Sequence, residues 1–277
     1  MIDLHTHSNQ SDGELSPAEL ITRAGEIGLS AIALTDHDTT AGIDEAQAQA
    51  DKVGIRFIPG VEIHVDFYSG EFHLLGLGLK MNRISALNSF LHEIRRRRAQ
   101  RNNEMIKLMR NDGMDITLDK LNAYAGSDVV GRLHFAHWFI DAGKAKNIPD
   151  VFKRWLGPEG PYYIRKNLPS LKEAISSVHS AGGKAVIAHP KSLRLSYTWF
   201  ETCLSEWRAL GLDGIEALHS GNTGRESRRL AKIADELGMI ITGGSDFHGT
   251  SRPDRRLGFG AAGMEISDEL LAPFNDE

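Results

Sequence analysis

The chain has 277 residues, 41% of them hydrophobic and 25% charged, a composition that excludes a disordered protein and leaves room for one large α/β domain or a domain with an insertion. A formal net charge of −5 argues against general electrostatic attraction to nucleic acid or membrane. Cys203 is the only cysteine, which excludes an intrachain disulfide, a thiolate zinc cluster and an iron–sulfur site, so any metal must be held by His, Asp and Glu. The apolar runs are short and interrupted, and the amino terminus lacks the basic-then-apolar pattern of a signal peptide. A cytoplasmic protein is expected, with no membrane contact and no obligate protein partner indicated.

Ile2, Leu4 and Thr6 predict a short strand entering a core, with His5 and His7 sharing its other face and Asp12 following in a turn. Ser16-Pro17-Ala18-Glu19 is a capping box with proline at the first helical position, and Leu20, Ala24 and Ile27 carry an apolar stripe toward Gly28. Ala31–Thr35 reads as a buried strand ending in Asp36-His37-Asp38, followed by a helical pattern from about Gly42 to Val53. Two more strand regions follow, Ile55–Ile63 with Glu62 near its end and Phe72–Leu79 with His73 at its start.

The pattern changes after Lys80. A long helical stretch covers about Ile84–Arg110, and others lie near Leu118–Tyr124, Gly131–Ala142 and Pro149–Leu156 without a strand between them. This predicts an inserted helical subdomain, 81–165, between the two parts of the main domain, 1–80 and 166–277. Alternation resumes with a second capping box at Ser170–Glu173 and the strand Lys184–Ala188, which delivers His189. A helix near Thr198–Leu210, the strand Gly214–Ala217 with Glu216 and His219 near its end, a helix near Arg225–Leu237 and the strand Met239–Thr242 complete the pattern, the last delivering Asp246 and His248.

About seven strands alternating with helices point to a parallel barrel or a doubly wound sheet. The polar residues at the strand ends favour the barrel, whose ends converge on one mouth. His5, His7, Asp12, His37, Glu62, His73, His189, Asp246 and His248 are nine candidate ligands, enough for two or three divalent ions sharing a carboxylate.

Asp-Leu-His-Thr-His-Ser with Ser-Asp-Gly, Leu-Thr-Asp-His-Asp, Pro-Gly-Val-Glu-Ile, Ile-Ala-His-Pro and Gly-Ser-Asp-Phe-His resemble, in order from Ile2 to His248, the motifs of the PHP (polymerase and histidinol phosphatase) family. The resemblance implies a distorted (β/α)7 barrel with a trinuclear site that hydrolyses phosphate esters. It places His5, His7, Glu62 and Asp246 on one ion, Asp12, His37 and His248 on a second, and Glu62, His73 and His189 on a third. Manganese is the expected metal, with iron(II) and zinc also suited to a sulfur-free donor set. A water bridging two ions, deprotonated near neutral pH, is the expected nucleophile, and His219 is a candidate proton donor.

The insertion bears on the substrate. Leu87, Leu91, Ile94, Met105, Leu108 and Met109 recur at helical spacing, and Arg98, Arg101 and Asn102 fall on the same stripe, whereas Arg95 and Arg96 lie nearer the outer side. Guanidinium groups on an apolar face call for an anionic partner. Arg97, Arg98, Arg101 and Asn102, with Arg132 and His134 of Gly131-Arg132-Leu133-His134, are therefore expected to bind a second phosphate. The Arg-rich helix and the Gly-Arg-x-His motif resemble the TrpH/YciV-like branch of the PHP family, in which the insertion caps the barrel. That branch implies removal of the 3′-phosphate from nucleoside 3′,5′-bisphosphates and 5′-to-3′ trimming of short 5′-phosphorylated RNA. Tyr68, Phe135 and Trp138 are candidates to stack on a base, with core packing the commoner role for each. A histidinol-phosphate phosphatase, a proofreading exonuclease, an amidohydrolase and a non-catalytic metal-stabilised binding module are the alternatives; no polymerase domain, strand-end carbamate lysine or lost ligand favours them.

Overall fold

The computed structural model describes residues 1–125 and 130–275. These group into two compact units, Met1–His92 with Pro169–Glu277, and Glu93–Leu168. Where 81–165 was expected as the insertion, the second unit starts later, at Glu93, because the first turns of the long helix belong with the first unit, and ends slightly later, at Leu168.

The first unit is built on β1 (Ile2–Asp3), β2 (Ala31–Leu34), β3 (Arg56–Val65), β4 (Phe72–Leu77), β5 (Lys184–Ile187), β6 (Gly214–His219) and β7 (Ile240–Gly244), hydrogen-bonded in that order. Backbone bonds from Leu4 N to Gly243 O (3.1 Å), Asp246 N to His5 O (2.9 Å) and His7 N to Phe247 O (2.9 Å) bring the first strand's extension beside the last, nearly closing a barrel. Pairing is parallel except on both sides of β4, which runs against its neighbours. The wholly parallel alternation expected from the sequence is thus corrected at one strand. Only residues 66–71 join β3 to β4, a hairpin link too short for the crossover that a parallel pair requires. The reversal brings the start of β4, with His73, to the end of the barrel where the other strands finish.

Around the sheet lie α1 (Pro17–Glu26) and α2 (Ile43–Val53). Ser16 and Glu19 close the start of α1 reciprocally, Glu19 N donating to Ser16 Oγ (3.2 Å) and Ser16 N to Glu19 Oε2 (2.8 Å). The barrel interior holds Leu4, Ala33, Leu75, Val186 and Ala188 with Ile266 and Phe274, which fills the fold below the polar end.

The helix α3 (Ser85–Asn111) crosses from the first unit into the second, which also contains α4 (Leu118–Ala125), α5 (Arg132–Asp141) and α6 (Ile148–Val151), the last continuing as a π-helical turn. Met105, Met109, Leu121, Phe135, Trp138 and Phe139 form the core of this second unit, so Phe135 and Trp138 are packing residues and not base platforms. Leu108, placed on the apolar stripe by its spacing, is 39% exposed. Among the described residues no helix is long and apolar enough to cross a membrane. Beyond the second unit, the first unit resumes with α7 (Leu171–Ser180), α8 (Tyr197–Ala209) and α9 (Gly224–Glu236).

Candidate active site

The nine candidate ligands come together at the polar end of the barrel. His5 Nε2 and His7 Nε2 are 3.1 Å apart; His7 Nε2 lies 3.2 Å from both Glu62 Oε2 and Asp246 Oδ1, and His5 Nε2 lies 3.4 and 3.5 Å from the same two oxygens. A tetrahedral shell with metal–ligand bonds of ~2.1 Å has edges of about 3.4 Å. The five distances therefore fit four donors arranged about one cation. Asp12 Oδ1 is 3.3 Å from His248 Nε2 and 3.8 Å from His7 Nδ1, while its Oδ2 is 3.8 Å from His37 Nε2, a second such group. Glu62 Oε1 reaches His73 Nδ1 (2.8 Å) and His189 Nε2 (2.9 Å). One oxygen of this buried carboxylate thus turns to His5 and His7 and the other to His73 and His189, which suits a bridging ligand.

The surrounding contacts fix ring orientation. Glu216 Oε1 accepts from His5 Nδ1 (2.9 Å), and its other oxygen accepts from His189 N (2.7 Å). His248 Nδ1 donates to Asp246 O (2.8 Å), leaving Nε2 for Asp12 or a metal. Asp36 holds the turn that carries Asp12, accepting from Ser8 N (2.8 Å), Ser8 Oγ (2.6 Å) and Ser11 Oγ (2.6 Å). Gly244 is required at its position, since a Cβ there would stand 2.2 Å from His5 Cβ and 2.7 Å from Glu216 Oε1. His189 (φ 27°) and Asp246 (φ 55°) occupy the left-handed region, backbone strain of the kind concentrated at functional sites.

Charge follows from these contacts. Burial opposes ionisation of Glu62, but His37, His73 and His5 outweigh it and hold the carboxyl well below its ordinary range. Burial likewise opposes charge on His5, yet Glu216 and Glu62 lift it to about 10, so these carboxylates favour a cation in their midst. Burial lowers His73 and His248 to about 4 and His219 to about 3, keeping the imidazoles neutral and their lone pairs available.

His219 lines the same cavity of about 290 Å³ as Asp12, His37, Glu62, Asp246 and His248. Its Nδ1 accepts from Gly221 N (3.0 Å), so Nε2 carries the proton, 3.4 Å from Asp246 Oδ2. It is a neutral N–H donor rather than an imidazolium acid. A register shift between Glu216 and Leu218 explains how Glu216 and His219, an odd number of residues apart, both turn inward. Sequence reading did not assign the support given by Glu216, nor Arg255, whose guanidinium meets Asp246, nor His64, whose Nε2 is 2.6 Å from His73 Nε2. Only the position of Glu216 near a strand end signalled any of this.

The second unit has an arginine cluster of its own. Arg101 is 8% exposed and is pushed down to about 10 by burial and by Arg98 and Arg132 nearby; its Nε is buried without a hydrogen-bond partner among the described residues. Its Nη2 donates to Asn102 Oδ1 (2.7 Å), and Asn102 Nδ2 donates to Val130 O (2.9 Å). Arg132 packs against the Phe152 and Tyr163 rings, and His134 Nδ1 accepts from Gly131 N (3.0 Å), closing the start of α5. Arg97 is engaged elsewhere, its Nε 2.9 Å from Glu93 Oε1.

A nearly closed β/α barrel with this donor set at its mouth defines a metal-dependent hydrolase. The PHP domain model matches residues 3–210, and the chain belongs to the PHP domain family. It is 36% identical to a 5′-3′ exoribonuclease of Haemophilus influenzae over 89% of each chain. It is 35% identical to a 3′,5′-nucleoside bisphosphate phosphatase of Chromobacterium violaceum over 93% of this chain and 90% of that one. A solved structure from Bifidobacterium adolescentis, proposed to be a metal-dependent phosphoesterase, superposes with a TM-score of 0.81 at 32% identity, covering 99% of this chain and 94% of that one.

Proposed function

We propose that this protein is a cytoplasmic, metal-dependent phosphoesterase that removes the 3′-phosphate from nucleoside 3′,5′-bisphosphates, leaving nucleoside 5′-monophosphate and phosphate. The observation that carries this reading is that one chain has both a metal-type donor set and a desolvated arginine cluster. A substrate with two phosphates has one group for each chemistry. The names of the two relatives support it, because a 5′-to-3′ exoribonuclease and a 3′,5′-bisphosphate phosphatase can break the same bond, P–O3′ of a nucleotide bearing a 5′-phosphate. Short 5′-phosphorylated RNA is accordingly a second substrate of the same site.

His5, His7, Glu62 and Asp246 would hold one divalent ion, Asp12, His37 and His248 a second, and Glu62, His73 and His189 a third. The imidazole and carboxylate donors fit manganese, our choice, as well as iron(II) and zinc. Ions bound there supply acidified water near neutral pH and positive charge for the phosphate oxygens. Glu216 keeps His5 oriented, Arg252 on the cavity wall adds positive charge for the scissile group, and the His219 Nε2–H donates a hydrogen bond into the cavity. Arg98, Arg101 and Arg132 grip the 5′-phosphate, with Asn102 and His134 fixing their surroundings. Arg97, held by Glu93, is left out of this set.

Phosphate release from a nucleoside 3′,5′-bisphosphate, from histidinol phosphate and from an activated aryl phosphate tests the reading. Release should be fastest from the bisphosphate, vanish after chelation and return with manganese. Preference for histidinol phosphate would overturn the assignment.

A further inference from the structure

Two large aromatic side chains of the barrel unit are left in solvent, Tyr68 at 70% exposure and Trp199 at 51%. Their polar atoms satisfy each other, Trp199 Nε1 donating to Tyr68 Oη, so what they offer solvent is ring surface. Tyr68 lies in the turn between β3 and β4, and Trp199 in the first turn of α8, which follows β5. Both segments lie at the barrel end where Glu62, His73 and His189 gather.

The turn that carries Tyr68 is joined to the cavity wall. Glu71 N donates to Ser192 O (2.9 Å), and Ser192 Oγ donates to Glu71 O (2.8 Å); both residues line the cavity that contains the metal-type donors. Gly70, at φ 57°, lets the turn come so close that a Cβ there would lie 2.0 Å from Ser192 O. Beneath Tyr68 the rings of Phe67, Phe72 and Trp207 pack in series at centroid distances of 4.4, 5.4 and 5.0 Å. The bond between the two side chains and the packing of Phe67 on Tyr68 lessen the side-chain freedom lost when a flat ligand settles on the pair.

We propose that Tyr68 and Trp199 form a stacking platform for the nucleobase immediately 3′ of the scissile phosphate in a 5′-phosphorylated oligonucleotide. The inference rests on the phosphoesterase reading above and deepens it. Hydrolysis adds water across P–O3′ of the first nucleotide: that bond breaks, the 3′-oxygen leaves as the hydroxyl of a nucleoside 5′-monophosphate, and the phosphorus stays on the second nucleotide as a new 5′-phosphate. The second nucleotide therefore remains attached to the phosphorus in the cavity, and its base needs a surface outside. Every base has a π-face, so stacking suits a trimming enzyme that must accept any sequence, and Arg252 on the cavity wall suits the chain's phosphates.

The test uses the metal-loaded full chain and two substrates, a 5′-phosphorylated dinucleotide and a nucleoside 3′,5′-bisphosphate, which has no second base. Tyr68→Ala and Trp199→Ala should each lower the ratio of kcat/KM on the dinucleotide to that on the bisphosphate by about tenfold. Tyr68→Phe, which keeps the ring face, should restore the ratio. An unchanged ratio, whether from no loss or from equal loss on both substrates, would overturn the platform while leaving the phosphoesterase reading intact. A wild-type enzyme that cleaves neither substrate would overturn both.

Discussion

Glu216 and His5 are both fully buried, and Glu216 Oε1 accepts a hydrogen bond from His5 Nδ1 at 2.9 Å, so the opposite ring nitrogen is turned toward Glu62 and Asp246. The carboxylate fixes the tautomer in which His5 Nε2 can act as a ligand. Such outer partners commonly account for ten- to hundredfold in metal affinity. Glu216→Gln should weaken manganese binding by about that factor, measured by competition with a metal-chelating dye. Wild-type affinity in the variant would mean that His5 is oriented by packing alone.

Asp246→Asn and His7→Ala should each lower bound metal and abolish turnover, because each removes a donor from the group with near-tetrahedral spacing. Metal content of the purified variants and phosphate release, measured on the same preparation, check this. Full turnover by a variant depleted of metal would remove the basis of the mechanism.

The chelated protein should lose stability on acidification from about pH 7 to about pH 5. His73, His219 and His248 are lowered from 6.5 to about 4, 3 and 4 by burial, so below about pH 6.5 the unfolded chain binds protons that the folded chain excludes. Their contribution is present above that value and is lost as pH falls toward the folded pKa values. His5, raised to about 10, has the opposite sign: its contribution is lost as pH rises above 6.5 toward 10. Asp3, pushed up by burial from 3.8 to about 6, also gains stability on acidification through this window. Because all three imidazoles lose their contribution between about pH 6.5 and about pH 5, three groups against two still give the predicted direction, to be read from urea midpoints at about pH 7 and about pH 5. A midpoint that rises on acidification would contradict it.

Arg98→Ala or Arg132→Ala should reduce kcat/KM on the bisphosphate about ten- to a hundredfold, given roughly 1.5–3 kcal/mol for a charge-assisted contact. The reduction should be much smaller on a nucleoside 3′-monophosphate, which lacks the group these side chains are assigned to hold. Equal reductions on both substrates would instead place the arginines on the reacting phosphate or in the fold.

The donor residues were legible because imidazoles and carboxylates at strand ends have a chemistry that packing alone does not explain. The direction of β4 was not legible from periodicity, which is the same for a strand read either way; the length of the link between Val65 and Phe72 was the usable signal. Glu216 looked like any strand-end carboxylate because its task depends on a register shift that one sequence does not display. Arg101 and Asn102 fell on the apolar stripe of a long helix, and their burial shows how a polar group can occupy such a face when partners are close. Leu108 departs from the stripe because a helix of 27 residues drifts relative to any single plane of contact. Tyr68 and Trp199 are far apart in the chain, so only the fold could pair them.

Which phosphate is removed can be read from the identity of the nucleotide product. A nucleoside 3′,5′-bisphosphate is incubated with the manganese-loaded protein and the product separated by chromatography against the 3′- and 5′-monophosphate standards. Nucleoside 5′-monophosphate and one equivalent of phosphate are the expected products. Accumulation of the 3′-monophosphate would contradict the proposed regiochemistry, because the metal site would then have taken the phosphate assigned to the arginines.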